Sequence, residues 1–200
     1  MSAKPQPRAA APTAPQAAGV PEAADPEPRS SIAIDLVEDD GDWSPFDDIE
    51  ALVSRAAAAA ARHPAVASRL PTGAVEIVVA LSSDAAVARL NGQYRGKPKP
   101  TNVLSFPAPA GSPAATLEQG TSLGDIVLAA ETVCAEAAES GTSPAHHLQH
   151  LVVHAVLHLV GYDHMTDAEA EAMEAIEIEA LAGLGIDNPY AGTDPETAAH

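Results

Sequence analysis

The sequence predicts an α+β fold: a small mixed β-sheet of about four strands packed against several helices, with a metal site on a helix of the C-terminal half and the turn after it. Two observations predict this. Alternating strand patterns and helical runs interleave up to about residue 129, and everything beyond is helical. Six of the eight histidines then fall within residues 146–164, where even scattering would place fewer than one.

The elements follow in order. SIAIDLV (31–37) alternates apolar and polar positions, as a half-buried strand does. An Ala-rich stretch over 45–62 reads as a helix that Pro64 closes. AVEIVVAL (74–81), a β-branched run bounded by Pro71 and Gly73, is a buried strand. Ser83 and Asp84 cap a helix running to about Tyr94. TNVLSF (101–106) and LGDIVLA (123–129) are two further strands joined by a Pro/Gly/Ser-rich loop over 107–121. Helices follow at 130–139, 144–160 and 166–184, the last opening with capping-box spacing between Thr166 and Glu169.

The ends read differently. Residues 1–30 are mostly Ala and Pro, which offer little apolar area and few amide donors, so a disordered tail is expected there. Residues 187–200 read as a short C-terminal tail, leaving one domain over 31–186. With six aromatic residues in the chain, the core must be built from Ala, Val, Leu and Ile.

Charge narrows the function. The net charge is −18, and all ten Lys and Arg lie between Lys4 and Lys99. Residues 1–100 therefore carry −3 and residues 101–200 carry −15, which excludes a protein that coats DNA through phosphate neutralisation. One cysteine, Cys134, excludes a disulfide framework and suits a reducing compartment. No apolar run reaches the roughly 18 residues of a membrane span, and the first thirty residues lack a signal-peptide core. A cytoplasmic protein without membrane attachment is expected.

The histidine segment reads HHLQHLVVHAVLHLVGYDH. Residues four apart on a helix project side by side, so His154 and His158 suit one metal ion. Gly161 permits the left-handed turn that brings His164 to the same ion. Three imidazoles and one open position are the geometry of a catalytic zinc site, although such ligands also suit Ni, Cu and Fe. His146 and His150 continue the stripe and are geometric rivals. The later trio is preferred because only it pairs a helix register with a chain-reversing glycine. His150 then reads as packed or supporting, and His146 and His147 as a solvated helix start. The same spacing occurs in metzincin peptidases, where a Glu after the first His is the general base. Ala155 stands there, so the peptidase reading keeps its metal and loses its base.

HAVLHLVGYDH (154–164) closely resembles the signature of the YbeY family of bacterial metal-dependent endoribonucleases, H-G-x-L-H-L-x-G-Y-D-H, and departs from it only at Ala155. LNGQYRGKPKPTNVLSFP (90–107) resembles a second family segment, with Asn102 where Asp is commoner and one negative charge fewer as a result. LGDI (123–126) and the acidic last helix also fit, so the resemblance covers about 31–190. It implies that His154, His158 and His164 hold one divalent ion, usually zinc, and that Arg95 serves activity. It also implies a single-strand-type endoribonuclease acting on the 3′ end of small-subunit rRNA and in ribosome quality control. Its partners would be rRNA, the small ribosomal subunit and its proteins.

The residues add their own support. Arg89, Arg95, Lys97 and Lys99 form the one basic cluster of the folded region, where RNA phosphates would have to meet the protein. Lys97 and Lys99 read equally as a solvated Pro-rich loop. Asp163 and Asp125 are candidates to orient a ligating imidazole, Asp163 being alternatively a turn residue after Gly161. No general base is evident. A rival from another class is a non-catalytic, metal-stabilised assembly factor whose acidic half seeks basic ribosomal proteins.

Overall fold

The computed structural model describes residues 30–109 and 121–191; the expected N-terminal tail, most of the 107–121 loop and most of the C-terminal tail lie outside them. The chain runs β1 (Ser30–Glu38), α1 (Ile49–Arg62), a single turn α2 (Pro64–Ala67), β2 (Gly73–Ser82), α3 (Asp84–Arg95), β3 (Val103–Pro107), β4 (Thr121–Ala129), α4 (Ala130–Ser140), α5 (Pro144–Leu159) and α6 (Asp167–Ala182). The four strands form one mixed sheet in the order β1-β2-β4-β3. β1, β2 and β4 run parallel, and β3 pairs antiparallel with β4 at the edge. The α+β expectation is met, with each predicted strand and helix present.

The sheet divides two cores. Alternate residues Val75, Ile77, Val79 and Leu81 of β2 point to one face and are fully buried. Ile126 and Leu128 of β4 join them there, under α1, α5 and α6. On the opposite face Leu104, Val127 and Ala129 form a smaller cluster with Val87 of α3. Bulk is scarce in the larger core, so α1 presents Ala56, Ala57, Ala59 and Ala60 and packs against α5. Small side chains let two helices approach closely. α5 is apolar nearly all round, as a helix enclosed between α1, the sheet and α6 must be.

The start of α1 differs from expectation, and a short helix follows its end. α1 starts at Ile49 rather than residue 45, because Asp48 adopts a left-handed backbone (φ 48°) and its carboxylate accepts the amide of Ala51. Pro64 ends α1 as expected and also opens α2, where its missing N–H is no loss.

β4 carries a bulge. The pairing passes from Glu76↔Ser122 to Ile77↔Gly124, leaving Leu123 as an extra residue. Gly124 has φ +129°, and a Cβ there would lie 2.2 Å from the carbonyl oxygen of Phe106 on β3. Only glycine lets the two backbones come so close. The bulge thereby fixes where edge strand β3 sits on β4. Gly124→Ala should cost more than about 3 kcal/mol, combining backbone strain with a clash against main chain. Urea unfolding of the two proteins measures it, and a cost below about 1 kcal/mol would show that β3 shifts freely.

Candidate metal centre

α5 starts on a Ser143 cap, with the Ser143 hydroxyl accepting the amide of His146, and Pro144 occupies its first turn. It ends in a Schellman turn: Tyr162 N–H donates to Leu157 O and Gly161 N–H to His158 O, both at 3.0 Å. Gly161 takes φ +84°. A Cβ there would meet only Arg69 Nη1, at an ordinary contact distance of 4.0 Å, so the need for glycine is conformational. Arg69 holds the turn from outside. Its Nη1 donates to Gly161 O at 3.0 Å, and its guanidinium lies 3.7 Å from the centre of the Tyr162 ring.

This turn brings His164 back to the helix. One ligand atom from each of His154, His158 and His164 lies within 4.8 Å of the others, the one such group of three or more His, Cys, Asp or Glu among the described residues. The ring centres of His154 and His158 are 4.6 Å apart, and that of His164 is 5.7 and 5.1 Å from them.

Hydrogen bonds fix which nitrogens carry protons. His154 Nδ1 lies 2.8 Å from Glu177 Oε1, and His158 Nδ1 lies 3.0 Å from the Tyr162 carbonyl. A carboxylate and a carbonyl can only accept, so both Nδ1 atoms are donors. In neutral rings both Nε2 atoms then carry lone pairs, and these face each other at 3.0 Å. Two lone pairs at that distance repel unless a cation stands beside both. Tetrahedral zinc at about 2.0–2.1 Å from each nitrogen requires a comparable spacing. The donor set and tautomers therefore fit a divalent ion. Burial first, then the neighbouring His154 and His164 rings, lower the His158 pKa below its usual value, favouring the neutral form a metal needs.

Glu177 is the residue that sequence reasoning missed. It is 1% exposed and sits in the apolar stripe of α6 with Met173, Ile176, Ala180 and Leu181. Its Oε2 lies 3.1 Å from His150 Nε2 and also accepts the Tyr190 hydroxyl. Burial pushes its carboxyl up, but the hydrogen bonds from His150 and His154, with that of Tyr190, prevail and hold it at about 2. It is a buried carboxylate with both oxygens satisfied. Tyr190 is raised by burial and by Glu177, so it keeps its proton and donates it. A Glu falling on a core stripe was the available signal.

The other expected residues lie as follows. Asp163 Oδ1 accepts the His164 amide at 2.8 Å, a turn contact rather than one to an imidazole. Asp125 is exposed and alternates with Ile126, which places it on the sheet face opposite α5. The ring-orienting contacts sought from these two aspartates are made by Glu177 and the Tyr162 carbonyl. His150 joins Glu177, as a supporting residue would, and His146 is exposed. His147 differs from the solvated start expected of it: its Nε2 lies 2.8 Å from Glu136 Oε2. The same Glu136 oxygen accepts the Asn102 amide at 2.8 Å, so an Asp at 102 would set carboxylate against carboxylate. Ala155 is fully buried in the main core and brings no proton-accepting side chain to the histidines.

Arg89, Arg95, Lys97 and Lys99 are all exposed. Arg95 closes the last turn of α3, and Lys97 and Lys99 follow in a loop tied down by Asn91, whose amide donates to the Lys99 carbonyl at 2.8 Å. Arg89 lies further back on α3, where its charge helps, after the Ser83 hydroxyl and the Gly41 amide, to lower Asp40. Among the described residues no Lys or Arg forms an ion pair with a carboxylate. None of the described helices is long and apolar enough to cross a membrane.

A three-histidine cluster at the end of a buried helix, on a mixed sheet with both faces covered, defines a candidate metallohydrolase site. The sequence profile described as Endoribonuclease YbeY matches residues 38–185. An Endoribonuclease YbeY of Azorhizobium caulinodans is 51% identical over 156 residues, covering 78% of this chain and 94% of that protein. That of Sphingopyxis alaskensis is 55% identical over 124 residues, covering 60% of this chain and 74% of its own. A solution structure from Thermotoga maritima superposes with a TM-score of 0.45 at 26% identity, over 82% of this chain and 97% of that one. The chain belongs to the endoribonuclease YbeY family. Tyr190 lies beyond the residues that the family profile matches.

If the three histidines hold a divalent ion, Glu177→Gln should weaken its binding about 10- to 100-fold, because the amide no longer offers acceptors on both sides to the imidazoles. Competition against a chromophoric chelator reads this directly. Unchanged affinity would remove Glu177 from the site.

Proposed function

We propose that this protein is a zinc-dependent endoribonuclease that hydrolyses phosphodiesters in rRNA, acting at the 3′ end of small-subunit rRNA and in ribosome quality control. The observation that carries the proposal is the pair of opposed Nε2 lone pairs of His154 and His158, with His164 beside them and no fourth protein ligand among the described residues. Such a set leaves a coordination position open for water or substrate, as catalytic rather than structural sites do. The family relatives, named as endoribonucleases, support RNA as the substrate.

An ion held by His154, His158 and His164 would supply Lewis acidity toward water and a phosphodiester oxygen. The chain supplies the rest. Glu177 and the Tyr162 carbonyl hold the two helix imidazoles in one tautomer and orientation. The Schellman turn and Arg69 fix the approach of His164. Arg95, exposed and unpaired with any carboxylate among the described residues, is free to meet phosphoryl oxygens as negative charge builds on them. Partners on this reading are rRNA and the small ribosomal subunit with its proteins.

Metal content and RNA cleavage should be compared in the parent, His158→Ala and Arg95→Ala proteins. The parent should carry about one zinc and cut structured rRNA fragments. His158→Ala should lose both properties, and Arg95→Ala should keep the metal while cutting about 100-fold more slowly. A parent that binds metal stoichiometrically yet cuts no RNA would overturn the enzymatic reading and favour a metal-stabilised assembly factor.

A further inference from the structure

Tyr94 is among the most exposed large apolar side chains of the described fold, at 69%. It stands beside Arg95 at the end of α3, and its ring meets that of Phe106 on β3 edge-on, with centres 5.1 Å apart. Phe106 is half-buried and packs on the smaller core, so it is a fixed wall, whereas Tyr94 offers a free face. The two aromatics border a cleft of about 520 Å³ with Leu90, Val127 and Asp125. That size falls in the range of small-ligand sites. Its walls are mostly apolar, with Ser122 and the Asp125 carboxylate, an acceptor for an amino group, as the polar side chains. Arg95, Lys97 and Lys99 are exposed at the same end of α3, with no carboxylate paired to them among the described residues.

We propose that this cleft is a nucleobase subsite for single-stranded RNA, in which an unpaired base stacks on Tyr94 while Arg95 and the two lysines hold the flanking phosphates. The inference rests on the proposed endoribonuclease reading and adds where the substrate is gripped. A flat aromatic face next to unpaired cations in an otherwise acidic protein matches a base and its phosphates, not an acidic or purely apolar partner. The sheet gives the path. Edge strand β3 has the cleft on one face, while α5, which bears the histidines, packs against it from the other. A strand of RNA crossing this edge passes from the face that carries the cleft to the face on which α5 packs.

The test is fluorescence anisotropy of a labelled, unstructured RNA dodecamer with the full chain, metal chelated so that binding is read without turnover, over a series of salt concentrations. Tyr94→Ala should bind about 5- to 100-fold more weakly, with the slope of log affinity against log salt unchanged, because a neutral contact releases no counterions. Tyr94→Phe, which keeps the ring, should bind within about twofold of the parent. Arg95→Ala should instead reduce the slope by about 0.7. Tyr94 is exposed, so its loss leaves the fold intact, as circular dichroism of the variant will verify. If Tyr94→Ala binds RNA as the parent does while the zinc-loaded parent cuts it, the subsite is wrong and the endoribonuclease reading stands. If the parent neither binds nor cuts RNA, both fall. A parental dimer that Tyr94→Ala dissolves, with RNA affinity unchanged, assigns the cleft to a second copy of the chain and overturns the proposal.

Discussion

Two imidazole lone pairs aimed at each other across 3.0 Å are an arrangement that a folded protein holds only by force from elsewhere. Here the force comes from behind each ring. A buried carboxylate fixes one Nδ1–H and a main-chain carbonyl fixes the other, so neither ring can turn its donor inward to relieve the repulsion. Much of the surrounding structure follows from this need. Glu177 must be ionised inside the protein, which requires His150 and Tyr190 to satisfy its second oxygen. The Tyr162 carbonyl must point back at the helix, which requires the left-handed residue at Gly161.

The packing serves the same end. α5 is held by α1 through small residues, by the sheet through β-branched ones and by α6 through the stripe that carries Glu177. Even its buried polar residue Gln149 is tied to α1, donating to the Leu52 carbonyl. A helix enclosed on so many sides has little freedom to roll, and a roll of a few degrees would displace both the His154 and His158 rings. Rigidity at the site is thus a property of the core as a whole rather than of three side chains.

How much of this was legible depended on how local each feature is. The histidine pair and the turn lie within eleven consecutive residues, and the capping box at Thr166 within four, so spacing alone points to the clustering of the one and the presence of the other. Boundaries were good where a cap or a proline marks them and shifted at α1, where the Asp48 cap with its left-handed backbone moves the start. Glu177, Arg69 and Tyr190 escaped because their partners lie 23, 92 and 13 residues away in the chain. In the sequence Glu177 is one acid among many on an acidic helix. Burial singles it out, and burial is a tertiary fact. The bulge at Gly124 escaped for the same reason: the glycine is visible, but the Phe106 carbonyl that demands it is not.

The closeness of the three histidines in sequence has a consequence for what an ion held by them would do to the chain. A cross-link between distant segments stabilises by restricting a long loop in the unfolded state, and the effect grows with loop length. An ion held by His154, His158 and His164 closes only a short loop, most of it already helical, and fastens neither terminus to the sheet. It would firm the last turn of α5 against fraying and leave the union of sheet and helices to the apolar core. The chain is therefore equipped to fold before any ion is bound, unlike small metal-nucleated domains that have no structure until the ion arrives.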